Sequence, residues 1–167
     1  SVVSRESGFM FNNLLFIAAC FAVFWGTMLP VFSEQIQGTK ITVGPPWFNQ
    51  VNIPIGLGLL FLTGVGPLLA WRRTSLNALK RAFVIPAAGG IAGGVVFFLM
   101  GVDHPYALMA LALSTFVTLT IFREFYKGAR ARGSSLGENF FEALVNLTMR
   151  NTRRYGGYVV HFGIVLI

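Results

Sequence analysis

Five apolar stretches, each reaching or approaching about twenty residues, follow one another along this chain with short polar segments between them. A helix needs about 20 mainly apolar residues to cross a hydrocarbon layer about 30 Å thick, where an unpaired backbone N–H or C=O finds no partner. The pattern predicts an all-α polytopic transmembrane bundle with spans over about 9–32, 51–71, 83–102, 106–125 and 155–167. Composition agrees, because 54% of the residues are hydrophobic and 11% charged, against roughly 25% charged in an ordinary soluble domain. A soluble fold of this size could not bury that much apolar surface.

The chain begins at Ser1 and stops at Ile167 inside an apolar run, so it reads as an internal fragment of one membrane domain in a longer protein. Its start lacks the basic stretch, short apolar core and small-residue cleavage site of a signal peptide, which predicts that the first run stays as an anchor.

Every Lys and Arg except Lys40 falls before the first run, after the second, or between the fourth and fifth. By the positive-inside rule those segments and the N-terminus are cytoplasmic, and the loops near Lys40 and His104 are outside, which in a bacterium means the periplasm. The net charge of +7 is therefore orientation chemistry, not a nucleic-acid footprint. The single Cys20 lies in an apolar run, which excludes an internal disulfide framework and a CxxC pair.

The periplasmic loop 33–50 carries Gly38, Gly44, Pro45 and Pro46 ahead of Trp47 and Phe48, turn formers followed by aromatics suited to a membrane interface. A structured lip and a bare linker both fit. On the cytoplasmic side, Ser135 with Glu138 suggests a capping box, and Leu136, Phe140, Leu144 and Leu147 recur at helical spacing, predicting an amphipathic segment over about 135–150. A plain connector packed on neighbouring helices has the same pattern. Gly89 with Gly93 and Gly90 with Gly94 predict close helix packing in the third span, and Gly56, Gly58, Gly64 and Gly66 do so in the second. Asn12 and Asn13, with Ser4, Arg5 and Glu6, put unusual polarity at the start of the first span.

Ionisable residues deep in a membrane are rare and costly, and His161 is the clear case here. It lies about 9 Å beyond Tyr155 at about 1.5 Å per residue, inside the hydrocarbon and nearer the cytoplasm. Gly157, one turn earlier, opens a flat space beside the imidazole, and Tyr158 and Phe162 stand as aromatic walls. An axial haem ligand, a proton or substrate relay and an interhelical hydrogen bond all suit such a histidine. His104, in the turn Asp103-His104-Pro105, reads as solvated.

Six ordered motifs carry a resemblance: Ser4-Arg5-Glu6, Phe11-Asn12-Asn13, Gly26-Thr27-Met28-Leu29-Pro30, Val43-Gly44-Pro45-Pro46 with Phe48-Asn49, Gly64-Val65-Gly66-Pro67-Leu68-Leu69, and the run from Arg153-Arg154-Tyr155-Gly156-Gly157-Tyr158 to His161. Together they resemble CcmF, the cytochrome c haem lyase subunit (the CcmF/CycK/NrfE family). The likeness is strongest in the first 75 residues and the last 15, and weakest in the third and fourth spans.

The resemblance implies a multi-pass protein of the bacterial inner membrane that attaches haem covalently to apocytochrome c at the periplasmic side, with CcmE-type and CcmH-type maturation proteins as partners. It implies a haem b held by two transmembrane histidines, of which His161 matches one, with Gly157 and Tyr158 in the pocket. The second axial histidine and the tryptophan-rich segment for the substrate haem would lie outside these residues, and His104 matches neither. No catalytic residue is expected within the fragment, which alone should be inactive and show no bis-histidine haem spectrum. A secondary transporter or haem exporter with His161 lining the path, and a docking surface built on the Pro-Pro-Trp-Phe lip, are the rival readings; no internal repeat is evident in the sequence.

Overall fold

The computed structural model describes residues 5–69 and 76–167. Ser4 of the first motif and the expected span end at Trp71, with Arg72 and Arg73, lie outside the described residues. Six α-helices follow in order: α1 (Arg5–Gln37), α2 (Pro45–Val65) with a 3-10 turn at Gly66–Leu68, α3 (Leu76–Leu99), α4 (Pro105–Leu136), α5 (Phe140–Arg150) and α6 (Thr152–Val165). Among the described residues there is no strand. The expected all-α membrane bundle is what the chain forms.

Proline marks where two helices start. Pro45 and Pro105 take the first turns of α2 and α4, after extended Gly44 and His104, positions where a missing N–H costs nothing. Left-handed glycines end two helices: Gly38 (φ 65°) closes α1 and Gly137 (φ 70°) closes α4, each donating its N–H to the carbonyl four residues back.

Among the described residues four helices, α1, α2 with its 3-10 turn, α3 and α4, are long and apolar enough to cross a membrane. The fifth expected span forms α6, whose 14 residues reach about 21 Å, short of the hydrocarbon thickness. Large apolar side chains point outward from the bundle, among them Phe21, Ile91, Val96 and Phe122. Water would not tolerate that surface; lipid does.

The helices α1 and α2 pack antiparallel, as do α3 and α4. Gly26 of α1 faces Trp47 and Phe48 of α2 while Leu15 faces Gly58, and Gly94 of α3 faces Ala112 of α4 while Gly89 faces Leu119. The helix α4 is the central strut, touching α2, α3, α5 and α6. Its Phe116, Val117 and Ile121 form the core with Leu68, Leu147, Tyr155 and Tyr158.

The third-span glycines all pack on α4: a Cβ at Gly90 would stand 2.9 Å from Phe116 Cβ and 3.1 Å from the Ala112 carbonyl. The second-span glycines divide. Gly58 and Gly64 meet Leu15 and Phe116, whereas Gly56 and Gly66 have nothing within 4 Å of a Cβ.

Two expected boundaries move. The helix α1 continues to Gln37, and Trp47 and Phe48 belong to the first turns of α2, so the outer connector shrinks to 38–44. Ser33 holds it, its hydroxyl accepting the Ile41 N–H at 2.8 Å and donating to the Pro30 carbonyl at 3.1 Å. On the other side α4 extends to Leu136, and Ser135 only donates to the Arg132 carbonyl within that helix. Glu138 makes a fork-to-fork pair with Arg132, at 2.6 and 2.8 Å. The capping box falls one turn later, on Asn139 and Glu142 at the start of α5. The charged partner outcompetes the expected hydroxyl cap, because a bidentate guanidinium–carboxylate pair is the stronger bond.

Candidate functional site: a cleft beside His161

The chain turns sharply at Asn151, and α6 then runs back along α4. Aromatic contacts set its rotation: Phe125 packs against Tyr155 and Tyr158 at centroid distances of 5.1 and 6.1 Å, and Phe122 against Phe162 at 5.7 Å. With that face fixed, the neighbouring face of α6, bearing Arg153, Gly157 and His161, turns towards α1 and the end of α2.

Between them lies a cleft of about 510 Å³, a size usual for small-molecule sites. Gly8, Phe9 and Asn12 of α1 form one side. Leu62, Thr63 and the Gly66-Pro67 turn close the end of α2, where Pro67 stops the helix. Arg153, Arg154, Gly157, Tyr158 and His161 form the α6 wall.

His161 is half-buried, and its Nδ1 is buried with no hydrogen-bond partner among the described residues. A buried ring nitrogen left unpaired is costly. Among the described residues nothing supplies the interhelical hydrogen bond that the sequence left open, which leaves the nitrogen to a ligand or to a partner from outside these residues. Gly157 has no heavy atom within 4 Å of where a Cβ would stand, so the wall beside the imidazole is flat.

Tyr158 is buried, its hydroxyl accepting from Arg154 Nε at 3.1 Å, and Arg154 reaches on to Glu124 of α4 at 2.9 Å. Phe162 differs from expectation: it is drawn onto Phe122 and does not line the cleft.

His104 stands just before α4, on the far side of the bundle. From there to Phe122, which touches α6 beside His161, the helix climbs roughly 27 Å at about 1.5 Å per residue. The two histidines cannot share one ligand. Cys20 is exposed on α1, and the described residues hold no group of three or more His, Cys, Asp or Glu side chains placed to bind a metal. What they offer a planar metal macrocycle is one imidazole, a flat glycine face and an apolar cleft, which fits half of such a site.

Sequence reading missed the part of Arg153 and Arg154 in this wall, counting them as cytoplasmic charges and as the start of the last motif. The signal was present: Arg153, Gly157 and His161 are spaced by four, and such residues share a helix face.

A second hollow of about 460 Å³ opens between α4, α5 and α6, with Arg132, Asn151, Arg154 and Tyr155 among its lining. Its arginines are engaged by Glu138 and Glu124.

No protein-family model matches the chain. Individual proteins do. The cytochrome c-type biogenesis protein CycK of Rhizobium meliloti is 35% identical over 118 residues, 70% of this chain and 18% of that protein. The cytochrome c-type biogenesis protein CcmF of Pseudomonas aeruginosa is 30% identical, covering 98% of this chain and 24% of its own length. A solved structure described as cytochrome c heme lyase CcmF superposes with a TM-score of 0.71 at 31% identity, over 99% of this chain and 24% of that one.

This chain belongs to the CcmF family.

The CcmF likeness runs through every helix described above, so the cleft and its histidine sit within a shared fold. The chain spans between a fifth and a quarter of the length of most of these relatives. It is a multi-pass membrane protein of CcmF type.

Proposed function

We propose that the chain is part of a cytochrome c haem lyase of the bacterial inner membrane, in which His161 is an axial ligand of a haem b and the preceding helices are its scaffold. The observation that carries the reading is the buried, unpaired Nδ1 of His161 beside the flat face of Gly157 in a cleft of a CcmF-type fold. The names of the relatives support the pathway, and the orientation of charge supports a cytoplasmic N-terminus with haem attachment on the opposite face.

The residues of the cleft divide the work. His161 offers a lone pair to a metal, Gly157 admits a planar ring against the backbone, and Phe9, Leu62 and Pro67 exclude water from it. Arg154 donates to the Tyr158 hydroxyl and is itself held by Glu124 of α4, which ties this wall to the core helix. Bound there, a haem would supply one-electron redox chemistry near the cytoplasmic side. Its second axial ligand, the attachment of the substrate haem, and the CcmE-type, CcmH-type and apocytochrome c partners belong to the longer protein. We assign no catalytic residue to this chain.

The test is His161→Ala in the full-length membrane protein. The reduced b-type absorbance should disappear while the protein still accumulates in the membrane; a spectrum like that of the wild type would sink the assignment. A transporter reading expects uptake by proteoliposomes without haem, and no feature of the cleft favours it over the haem site.

A further inference from the structure

Two arginines line the cleft, and they are not alike. Arg154 is spent: it donates to Tyr158 and pairs with Glu124. Arg153 is exposed and has no ion pair or hydrogen bond among the described residues, yet it stands on the cleft wall. An unpaired guanidinium beside an apolar, membrane-level hollow is poised for an anion, and its planar fork matches a carboxylate.

Its register says which anion. Arg153, Gly157 and His161 form one stripe along α6, spaced by four, so the cation lies about 12 Å from the imidazole at about 1.5 Å per residue, with the flat glycine between them. A ligand that satisfies all three has a metal centre at one end of the stripe, a planar apolar body in the middle and a carboxylate at the other. We propose that Arg153 is the anchor of a carboxylate side arm of the macrocycle, fixing which edge of the ring faces the cytoplasmic mouth. This rests on the reading of His161 as a haem ligand.

The arrangement gives each end of α6 a task. Arg153 orients and retains the ring, and His161 binds the iron. A lipid phosphate could also meet an arginine at this depth, but it would use neither Gly157 nor His161.

The experiment uses purified full-length protein carrying its haem, with haem loss followed by transfer to haem-free myoglobin. Arg153→Ala should lose haem about tenfold faster than the wild type, the usual scale for one charge-assisted hydrogen bond, and Arg153→Lys should fall between. The positions of the b-type bands should not move, since the iron keeps its ligands.

In wild-type protein refilled with the dimethyl ester of protohaem, loss should be faster by a similar factor, and the ester should erase the difference between wild type and Arg153→Ala. That arm stands even if the alanine variant fails to fold. Equal loss of haem and its ester from the wild type overturns the proposal. So does wild-type haem retention by Arg153→Ala accompanied by a fall in co-purified phosphatidylglycerol, which would assign the arginine to lipid. His161→Ala run alongside separates the two readings: if it abolishes the b-type bands while the Arg153 and ester arms show nothing, only the anchor falls.

Discussion

Arg123 of α4 donates to the backbone carbonyl of Ala82 in α3, the acceptor left without its helical partner because Pro86, four residues on, has no N–H. Its other guanidinium nitrogen donates to the Arg81 carbonyl at 2.7 Å. Pro86 is itself fully buried. A proline that would weaken one helix thus creates the socket that fastens the next, on the side where the basic residues collect.

The socket makes Arg123 and Pro86 energetically coupled. Arg123→Ala should destabilise the bundle by about 1.5–3 kcal/mol, the scale of hydrogen bonds from a charged donor. With Pro86→Ala, an alanine N–H can serve the Ala82 carbonyl instead, and the same arginine substitution should cost less. A double-mutant cycle on unfolding in detergent reads this directly. Additive effects within about 0.5 kcal/mol would show that the two do not act through one carbonyl.

The antiparallel contact of α3 with α4 depends on Gly90. A methyl group there would press on Phe116 and on the Ala112 carbonyl, and backbone cannot swing aside as a side chain can. Gly90→Ala should therefore cost about 1–3 kcal/mol by overpacking. Gly56→Ala meets nothing within 4 Å and should be neutral or stabilising by up to about 1 kcal/mol, since alanine is the better helix former. Thermal unfolding of the two variants in the same detergent gives the comparison, and equal midpoints would contradict the packing.

The spans were legible because length and apolarity act locally: each of the four long helices declares itself in the sequence regardless of its neighbours. The glycine registers of α3 were legible for the same reason. What could not be read was competition between elements. Whether Ser135 or Asn139 caps α5 depends on Arg132 claiming Glu138, and whether Phe162 lines the cleft depends on Phe122 drawing it onto α4. His161 stood out from the start as an ionisable group in hydrocarbon, but its unpaired Nδ1 and the Arg153 stripe beside it needed the rotation of α6. That rotation is set by aromatic contacts with α4, about thirty residues earlier in the chain.

The Arg132–Glu138 pair should make the α4–α5 corner sensitive to acid. The hydrogen bond from Arg132, followed by its charge, holds the Glu138 carboxyl below its ordinary range despite partial desolvation. A free glutamate titrates near about pH 4.3, so the pair's contribution is complete above that pH and fades as the pH falls through the lower folded value. Glu138→Gln should lower the unfolding midpoint at pH 7, and the gap to wild type should close in strongly acidic buffer. A gap independent of pH would mean that the pair adds nothing through its charge.

The cleft can be closed without touching the histidine. Gly157 and Gly163 both lie on α6 and both have open space where a Cβ would stand, but only Gly157 lines the cleft. Leucine at either position should leave folding and membrane accumulation near wild type. In Gly157→Leu the side chain would fill the flat face beside His161, and a ring forced against it should bind about tenfold to a hundredfold more weakly, the scale of overfilling a packed site. Gly163→Leu should retain haem normally. The haem-to-protein ratio of the two purified full-length variants measures the difference directly. Equal haem content would mean that the ring does not lie against Gly157, even if His161 remains its ligand.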